Sequence, residues 1–370
     1  MKLLLINQYG PPDTSPTARL AGDLAEHLTT AGHTVHMVSS SSEITGYREK
    51  YRGLGRLLIE GSALLSLVWK SLWVGSADQV IVFSSPPMAL LAGVCAGRYH
   101  HAPVVHWVLD AYPDVAGALG AGGPDFIQKR LRNIMRQAYD YCRQVVAVSD
   151  AMRDMLAERY QVNAAVIYPW PPDLPVKSEV LPWPNVPADY RVWCYSGNLG
   201  KAHEWSVLLD VQQELELRQV PLALVVQGGG DSRAKLRQEA SNRGIRHVYL
   251  QNYALEQELI ARLHAAAVRV VTLKVEMSGL LWPSKWAVID CLPGPHLWIG
   301  PGKDLGHGTN EQVGRFDIEH YGSIADWLEE KSQGRPVLDV MAFKESVDHK
   351  RCAGLTKWQQ LLEQPSADPF

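Results

Sequence analysis

Residues 3–40 read LLLINQYGPPDTSPTARLAGDLAEHLTTAGHTVHMVSS. Positions 3–7 are a buried-strand run, and positions 8–16 are a loop rich in turn residues. Ser15 is placed to cap a helix whose first position is Pro16. Leu20, Leu24 and Leu28 recur at helical spacing, Ala31 and Gly32 stop the helix, and HTVHMVSS forms the next strand. The stretch is a βαβ unit, which implies a parallel sheet with right-handed crossovers.

The alternation continues outward from it. Strands are expected at 79–85, at 102–110 ending on Asp110, and at 144–150, with helices at 87–98, 125–141 and 151–160. Between Tyr168 and Tyr190 seven prolines interrupt any periodicity, the mark of a stiff connection between domains. Strands then return at 191–197, 221–227, 247–253 and 268–274, with helices at 204–218, 231–243 and 255–266. The fold class is therefore α/β, with two doubly wound Rossmann-like domains. The first spans 1–168, the linker 169–190 and the second domain 191–345. Ligands of such sheets sit beyond the carboxyl ends of strands. That singles out 9–16, 84–87, 110–114, 197–201, 227–230 and 276–285.

Composition narrows the classes. The chain has 370 residues, 46% hydrophobic and 20% charged, as in a globular protein with sizeable cores. A net charge of −3 argues against neutralising the phosphates of a nucleic acid. The five cysteines are scattered and lack disulfide or zinc spacing, which fits a reducing, cytoplasmic setting. MKLLLIN is too short for a secretory leader. Residues 52–75 are apolar but broken by Arg56, Glu60 and Lys70. They read either as an amphipathic helix packed on the sheet, or as a face that rests on the inner side of a membrane or grips a lipid tail.

Two glycine-rich strand ends stand out in the second block. GNLGK (197–201) lets backbone N–H groups approach an anion and adds a lysine, without being a P-loop. QGGGD (227–231) is either a plain tight turn or a second close-approach site, and it lacks the order of a dinucleotide fingerprint. In VEMSGLLWPSKW (275–286), Glu276, Ser284 and Lys285 surround a strand-to-helix junction, which reads either as a plain helix start with a solvated lysine or as a place that holds a ligand. Asp110 reads as a carboxylate able to orient or deprotonate a hydroxyl, or as a cap for the turn at Tyr112-Pro113. His106 reads as a satisfied, half-buried histidine, and His203 as a solvated loop residue, with reach to a phosphate or sugar as the alternative. Trp170 and Trp183 read as packing, with stacking on a sugar or base as the alternative. No Asp, Glu or His cluster has metal-ligand spacing, so binding without a metal is expected.

These segments together resemble the retaining glycosyltransferases of the GT-B fold, most closely the branch of bacterial surface-polysaccharide assembly that carries a PSK motif. The likeness spans nearly the whole chain. It rests on Gly10-Pro-Pro with the helix end Ala-Gly-His-Thr-Val, Phe83-Ser-Ser-Pro-Pro87, Leu109-Asp-Ala-Tyr-Pro-Asp114, Val148-Ser-Asp150, Tyr195-Ser-Gly-Asn-Leu-Gly200 and Pro283-Ser-Lys285. The order of YSGNLG, glycine-rich strand end and PSK is its most specific part.

The resemblance implies two domains facing across a cleft, and a final helix (346–370) crossing back to the first. It implies a nucleoside diphosphate-sugar such as a UDP-sugar as substrate, with no cofactor, and a carbohydrate or lipid-linked acceptor. Gly197, Asn198, Gly200, Lys201, Gly228, Gly229, Ser284 and Lys285 would bind the donor. Glu276 would face the donor sugar, Asp110 would act on the acceptor, and Pro12, Thr14 and Thr17 would lie in the acceptor-side loop. Two departures are visible. Ser284 stands where the family's Glu-x7-Glu element has its second acid, and Thr14–Thr17 replace a Gly-Gly pair. A nucleotide-sugar epimerase and a non-catalytic sugar- or nucleotide-binding relative stay open beside the transferase. A Rossmann dehydrogenase is disfavoured by the first loop, which lacks dinucleotide glycines.

Overall fold

The computed structural model describes residues 1–41, 54–176, 179, 181–305, 312–334 and 339–364. It forms two compact units. One comprises Met1–Pro172, Gly279–Trp282 and Arg351–Phe370, and the other comprises Asp173–Ser278 and Pro283–Lys350. The segment read as a linker thus divides after Pro172, and four residues of the second block, Gly279–Trp282, group with the first unit.

Unit 1 holds the strands β1 (Lys2–Tyr9), β2 (Thr34–Ser41), β3 (Gln79–Phe83), β4 (Val104–Val108), β5 (Cys142–Ala147) and β6 (Ala164–Val166). All pairings are parallel, in the order β2-β1-β3-β4-β5-β6. Near-continuous Leu, Val and Ile runs such as 3–6 and 80–83 are fully buried, as a sheet covered on both faces requires. Its helices are α1 (Pro16–Thr30), α2 (Leu54–Leu72), α3 (Leu90–His100), α4 (Asp114–Ala118), α5 (Asp125–Asp140) and α6 (Asp150–Tyr160). Leu20, Leu24 and Leu28 are the buried face of α1.

Two local expectations are corrected. Ser15 stands at the cap position of α1, but its side chain makes no capping bond. Its own N–H donates to Asp13 Oδ1 at 2.7 Å instead, so the turn is built by the preceding aspartate. The helix expected from 87 begins only at Leu90, because Met88 takes a left-handed φ of 65° and breaks the helical run.

Helix α2 is two-faced. Ala63, Leu67 and Ser71, four residues apart, are buried, whereas Leu58, Leu65 and Trp69, with Trp73 just past the helix end, are between 64% and 74% exposed. Residues 52 and 53 of this stretch lie outside the described residues. Among the described residues no helix is long and apolar enough to cross a membrane.

Unit 2 holds β7 (Arg191–Ser196), β8 (Leu222–Gln227), β9 (Val248–Gln251), β10 (Val268–Thr272), β11 (His296–Ile299) and β12 (Val313–Phe316). Their parallel order is β12-β11-β10-β7-β8-β9. The helices are α7 (Ser206–Leu217), α8 (Arg233–Asn242), α9 (Glu256–Ala265), α10 (Lys285–Ile289) and α11 (Tyr321–Lys331). Val207, Leu208, Val211 and Leu215 of α7 pack on Leu224 and Val226 in its main core.

The last helix, α12 (Val340–Glu363), begins in unit 2 and passes to unit 1 at Arg351. Lys350 pairs with Asp290 inside unit 2, and Arg351 meets Asp23 Oδ1 at 2.8 Å inside unit 1. Trp358 is fully buried, with its ring 4.9 Å from that of Trp107. Residues 365–370 of the expected returning segment lie outside the described residues.

In each sheet the chain winds first to one side and then to the other. The order reverses between β1 and β3 in unit 1, and between β7 and β10 in unit 2. A crevice at such a reversal is where open α/β sheets take ligands.

Candidate functional site

The reversal in unit 2 brings together several of the residues expected on the donor side. After β7 the chain enters Gly197 with a φ of 128°, and after β8 it enters Gly228 with a φ of 125°. The two glycine-rich ends brace each other. Gly197 N–H donates to Gln227 O at 2.8 Å, Leu199 N–H to Gly229 O at 2.8 Å, and Ser232 N–H to Leu199 O at 3.1 Å. A Cβ on Gly228 would overlap the Gly197 carbonyl, and one on Gly230 would overlap the backbone of Leu199. QGGGD is thus more than a tight turn; its missing side chains let the GNLG backbone lie against it. The ring of exposed Tyr253 packs on Gly228 and Gly229.

Along GNLG the bonded amides alternate. Gly197 and Leu199 use theirs in the bracing, and the N–H groups of Asn198 and Gly200 meet no acceptor among the described residues. Open backbone N–H groups on a glycine turn are donors that an anion can approach closely.

Lys285, the first residue of α10, completes this arrangement. The space above the Gly197 Cα is filled by its side chain, whose Cε would lie 3.2 Å from a Cβ there. Its ammonium donates to the Tyr195 hydroxyl, sits 4.1 Å from the centre of that ring, and lies 3.4 Å from Asn198 O. It also lies 3.2 Å from His203 Nε2. Burial lowers the Lys285 pKa from its ordinary 10.5 to about 7. Helix α10 is anchored behind it by buried Trp286, whose ring is 5.4 Å from that of Trp298.

His203 is not the solvated loop residue expected. It is buried, with Nδ1 2.5 Å from Thr272 O, because the turn after GNLG folds back over the end of β10. Neither it nor the side chain of Tyr195 was expected as a holder of Lys285. The available signal was their spacing around GNLG. Other donor-side candidates are less engaged. Lys201 and Glu276 are exposed and make no hydrogen bond or ion pair among the described residues. Ser284 is exposed at the first turn of α10, with no side-chain cap bond.

In unit 1 the residues after β1, β3 and β4 come together. Gln8 N–H donates to Ser85 O at 2.8 Å, and the hydroxyl of Ser84 accepts from the N–H groups of Leu109 and Asp110 at 3.0 Å each. Asp110 is partly exposed and lines a small cavity with Ser84, His106, Tyr112, Met135 and Tyr139. His106 is buried rather than half-buried. Its Nδ1 lies 2.8 Å from Val82 O, and burial lowers its pKa to about 4, so the imidazole is neutral.

Asp114, four residues beyond Asp110, is instead fully enclosed. Arg132 at 3.0 Å, Arg159 at 2.9 Å and the Tyr160 hydroxyl all converge on it. In Val148-Ser-Asp150, Ser149 caps α6 by accepting from Met152 N–H at 3.1 Å, and Asp150 accepts from Tyr168. Pro12 and Thr14 are exposed on the loop after β1, while Thr17 is half-buried and lends its carbonyl to Asn7 Nδ2 at 3.2 Å. Trp170 and Trp183 are buried, the former donating to Asp23 at 2.9 Å, so both serve as packing. No group of three or more His, Cys, Asp or Glu able to hold a metal occurs among the described residues.

Residues 17–172 match the profile described as Glycosyltransferase Family 4. The sucrose-phosphate synthase of Thermosynechococcus elongatus superposes with a TM-score of 0.65 at 14% identity, over 98% of each chain. HepE of Anabaena, solved in complex with UDP, does so with a TM-score of 0.64 at 13% identity, over 98% of this chain and 99% of that one. The fold is GT-B. A third GT-B likeness is the lipopolysaccharide outer core galactosyltransferase WaaB, with a TM-score of 0.55 at 14% identity over 95% and 99%. No curated protein sequence matches the chain. Within GT-B order, the GNLG and QGGG turns and Lys285 occupy the strand-order reversal of the second sheet.

Proposed function

We propose that the protein is a retaining glycosyltransferase that moves a sugar from a nucleoside diphosphate-sugar to a hydroxyl acceptor. One observation carries this reading: a lysine ammonium seated on a glycine turn whose alternate amides are open. That combination offers point charge and backbone donors to a diphosphate without a metal. The leaving diphosphate gains charge as the glycosidic bond breaks, and donors preorganised for it favour the transition state.

In this reading Gly197, Asn198, Gly200, Gly228 and Gly229 shape the diphosphate site and Lys285 supplies its charge. Lys201 and Ser284 stand at its margin, and Glu276 attends the donor sugar. UDP is the first nucleotide to test, because Anabaena HepE was solved with UDP and with UDP-glucose. Asp110, with Ser84 and Tyr112 around its cavity, is the acceptor-side carboxylate. Pro12, Thr14 and Thr17 border that side. The acceptor would be a carbohydrate or a lipid-linked one, in bacterial polysaccharide or glycoconjugate assembly at the cytoplasmic face of a membrane.

A lipid-linked acceptor is favoured by the outer stripe of α2. Trp69 and Trp73 pair at 5.4 Å, exposed Lys70 lies between them in sequence, and the other side of the helix is already packed. Such an aromatic stripe beside a cation suits an anionic bilayer interface.

The test is a thermal-shift panel of nucleoside diphosphates and their sugars, followed by transfer to a hydroxyl acceptor with the product anomer read by NMR. A melting temperature that no nucleotide raises would sink the donor site. A product of inverted configuration would sink the retaining mechanism. The non-catalytic alternative is favoured by Ser284 in place of a second acid, and it requires binding without hydrolysis or transfer.

A further inference from the structure

In unit 2 the Lys285 ammonium is held by Tyr195 and His203. His203 Nδ1 sits 2.5 Å from the carbonyl oxygen of Thr272. A carbonyl only accepts, so Nδ1 carries the ring proton and Nε2 is a bare lone pair. That lone pair lies 3.2 Å from the Lys285 ammonium. Burial, and then the charge of Lys285, push the His203 pKa down to about 3, so it stays an acceptor at neutral pH.

Tyr195 behaves alike. Its hydroxyl donates to Asn198 O at 3.0 Å and therefore meets Lys285 with a lone pair. Its ring also lies under the ammonium. Two of the three ammonium hydrogens are thus taken by side chains. The third has only Asn198 O at 3.4 Å, on the GNLG turn where the open amides lie. An unsupported lysine is a flexible four-carbon stem with a freely rotating head. Here a tautomer-locked imidazole removes that freedom.

We propose that His203 is a positioning residue, which through Nε2 aims the remaining N–H of Lys285 at the diphosphate of the donor. His203 itself touches no phosphate. The inference rests on the donor-site reading above, and adds to it which side chain fixes the charge.

The experiment compares wild type with His203→Phe, His203→Gln, Lys285→Met and the double variant His203→Phe/Lys285→Met. UDP, inorganic pyrophosphate and uridine are the calorimetric probes, and melting temperature is followed throughout. His203→Phe keeps the ring volume and removes the acceptor. It is expected to weaken UDP and pyrophosphate about tenfold while leaving uridine binding unchanged. His203→Gln, which keeps an acceptor oxygen within reach, should recover part of that loss. In the Lys285→Met background the Phe change should cost nothing further, because the partner is gone.

Equal loss for uridine, or an undiminished loss in the double variant, would mean a merely structural histidine and overturn the proposal. Wild-type affinity for pyrophosphate in His203→Phe would overturn it as well. A wild type that binds neither UDP nor pyrophosphate would instead overturn the donor-site reading, and this proposal with it.

Discussion

The carbonyl of Gly197 occupies the space that a side chain on residue 228 would need. Gly228 also holds a φ of 125°, which an L side chain rarely adopts. The two glycine turns of unit 2 are therefore one object, and neither is spare. Gly228→Ala should lose stability by about 1–3 kcal/mol from backbone strain alone, before the overlap is counted. A calorimetric melt checks this, and UDP affinity should fall along with it. Gly244→Ala is the control. It too has a positive φ, but nothing lies near its Cβ, so it should lose stability and leave UDP affinity intact.

In the proposed donor site Lys285 would tie binding to pH. Its pKa is lowered from 10.5 to about 7 in the folded chain, so folding releases a proton between those values. The destabilisation is full below about pH 7 and disappears as pH rises toward 10.5. The titratable groups that face it are Tyr195, raised by burial, and His203, lowered to about 3; both stay neutral across this window. The stability of Lys285→Met relative to wild type should accordingly be greatest at pH 6 and shrink toward pH 10, read from denaturant melts at each pH. If UDP meets this ammonium as proposed it restores the charge, so its binding at pH 8 should take up protons, which calorimetry in buffers of different ionisation enthalpy measures. The same variant should bind UDP roughly 30-fold more weakly, as loss of about 2 kcal/mol predicts.

Two aspartates of one motif should separate cleanly. Asp114→Ala strands the Tyr160 hydroxyl and two arginines, and should cost about 3 kcal/mol of stability. Asp110→Asn keeps the shape of a partly exposed side chain and should leave the melting temperature within a few degrees. If Asp110 serves the acceptor as a base, the transfer rate falls roughly a hundredfold or more. Melting and steady-state kinetics on both variants distinguish them.

The outer stripe of α2 is tested by Trp69→Ser/Trp73→Ser. Both residues are largely exposed, so the melting temperature should hold. Co-sedimentation with vesicles containing anionic lipid should drop several-fold, and so should transfer to a lipid-linked acceptor, while transfer to a soluble sugar should not.

Much of this architecture was legible in the sequence because it is written in local chemistry. Leu20, Leu24 and Leu28 announce a buried helical face, and runs such as Leu3–Ile6 announce a sheet covered on both sides. The positions after strands followed from the rule for reversals, and Gly197 and Lys285 do lie together. What could not be read was anything decided by contact between distant segments. His203 looked like loop until the end of β10 supplied Thr272 O. QGGGD stayed open between a plain turn and a close-approach site until GNLG lay against it. Asp110 and Asp114 carry the same side chain, and only Arg132, Arg159 and Tyr160 make one of them a buried anchor.

Trp358 has a bearing on how the molecule comes into being. Its indole covers that of Trp107 in unit 1, yet it is translated after nearly all of unit 2. During synthesis Trp107 can meet Trp170, whose ring lies 5.4 Å away, before unit 2 exists, and it gains Trp358 only once unit 2 has been made. The N-terminal unit is therefore the later one to be sealed, against the usual N-first order of domain folding. A nascent chain halted before Arg351 would lack both the Trp358 ring and the Arg351–Asp23 pair that close unit 1.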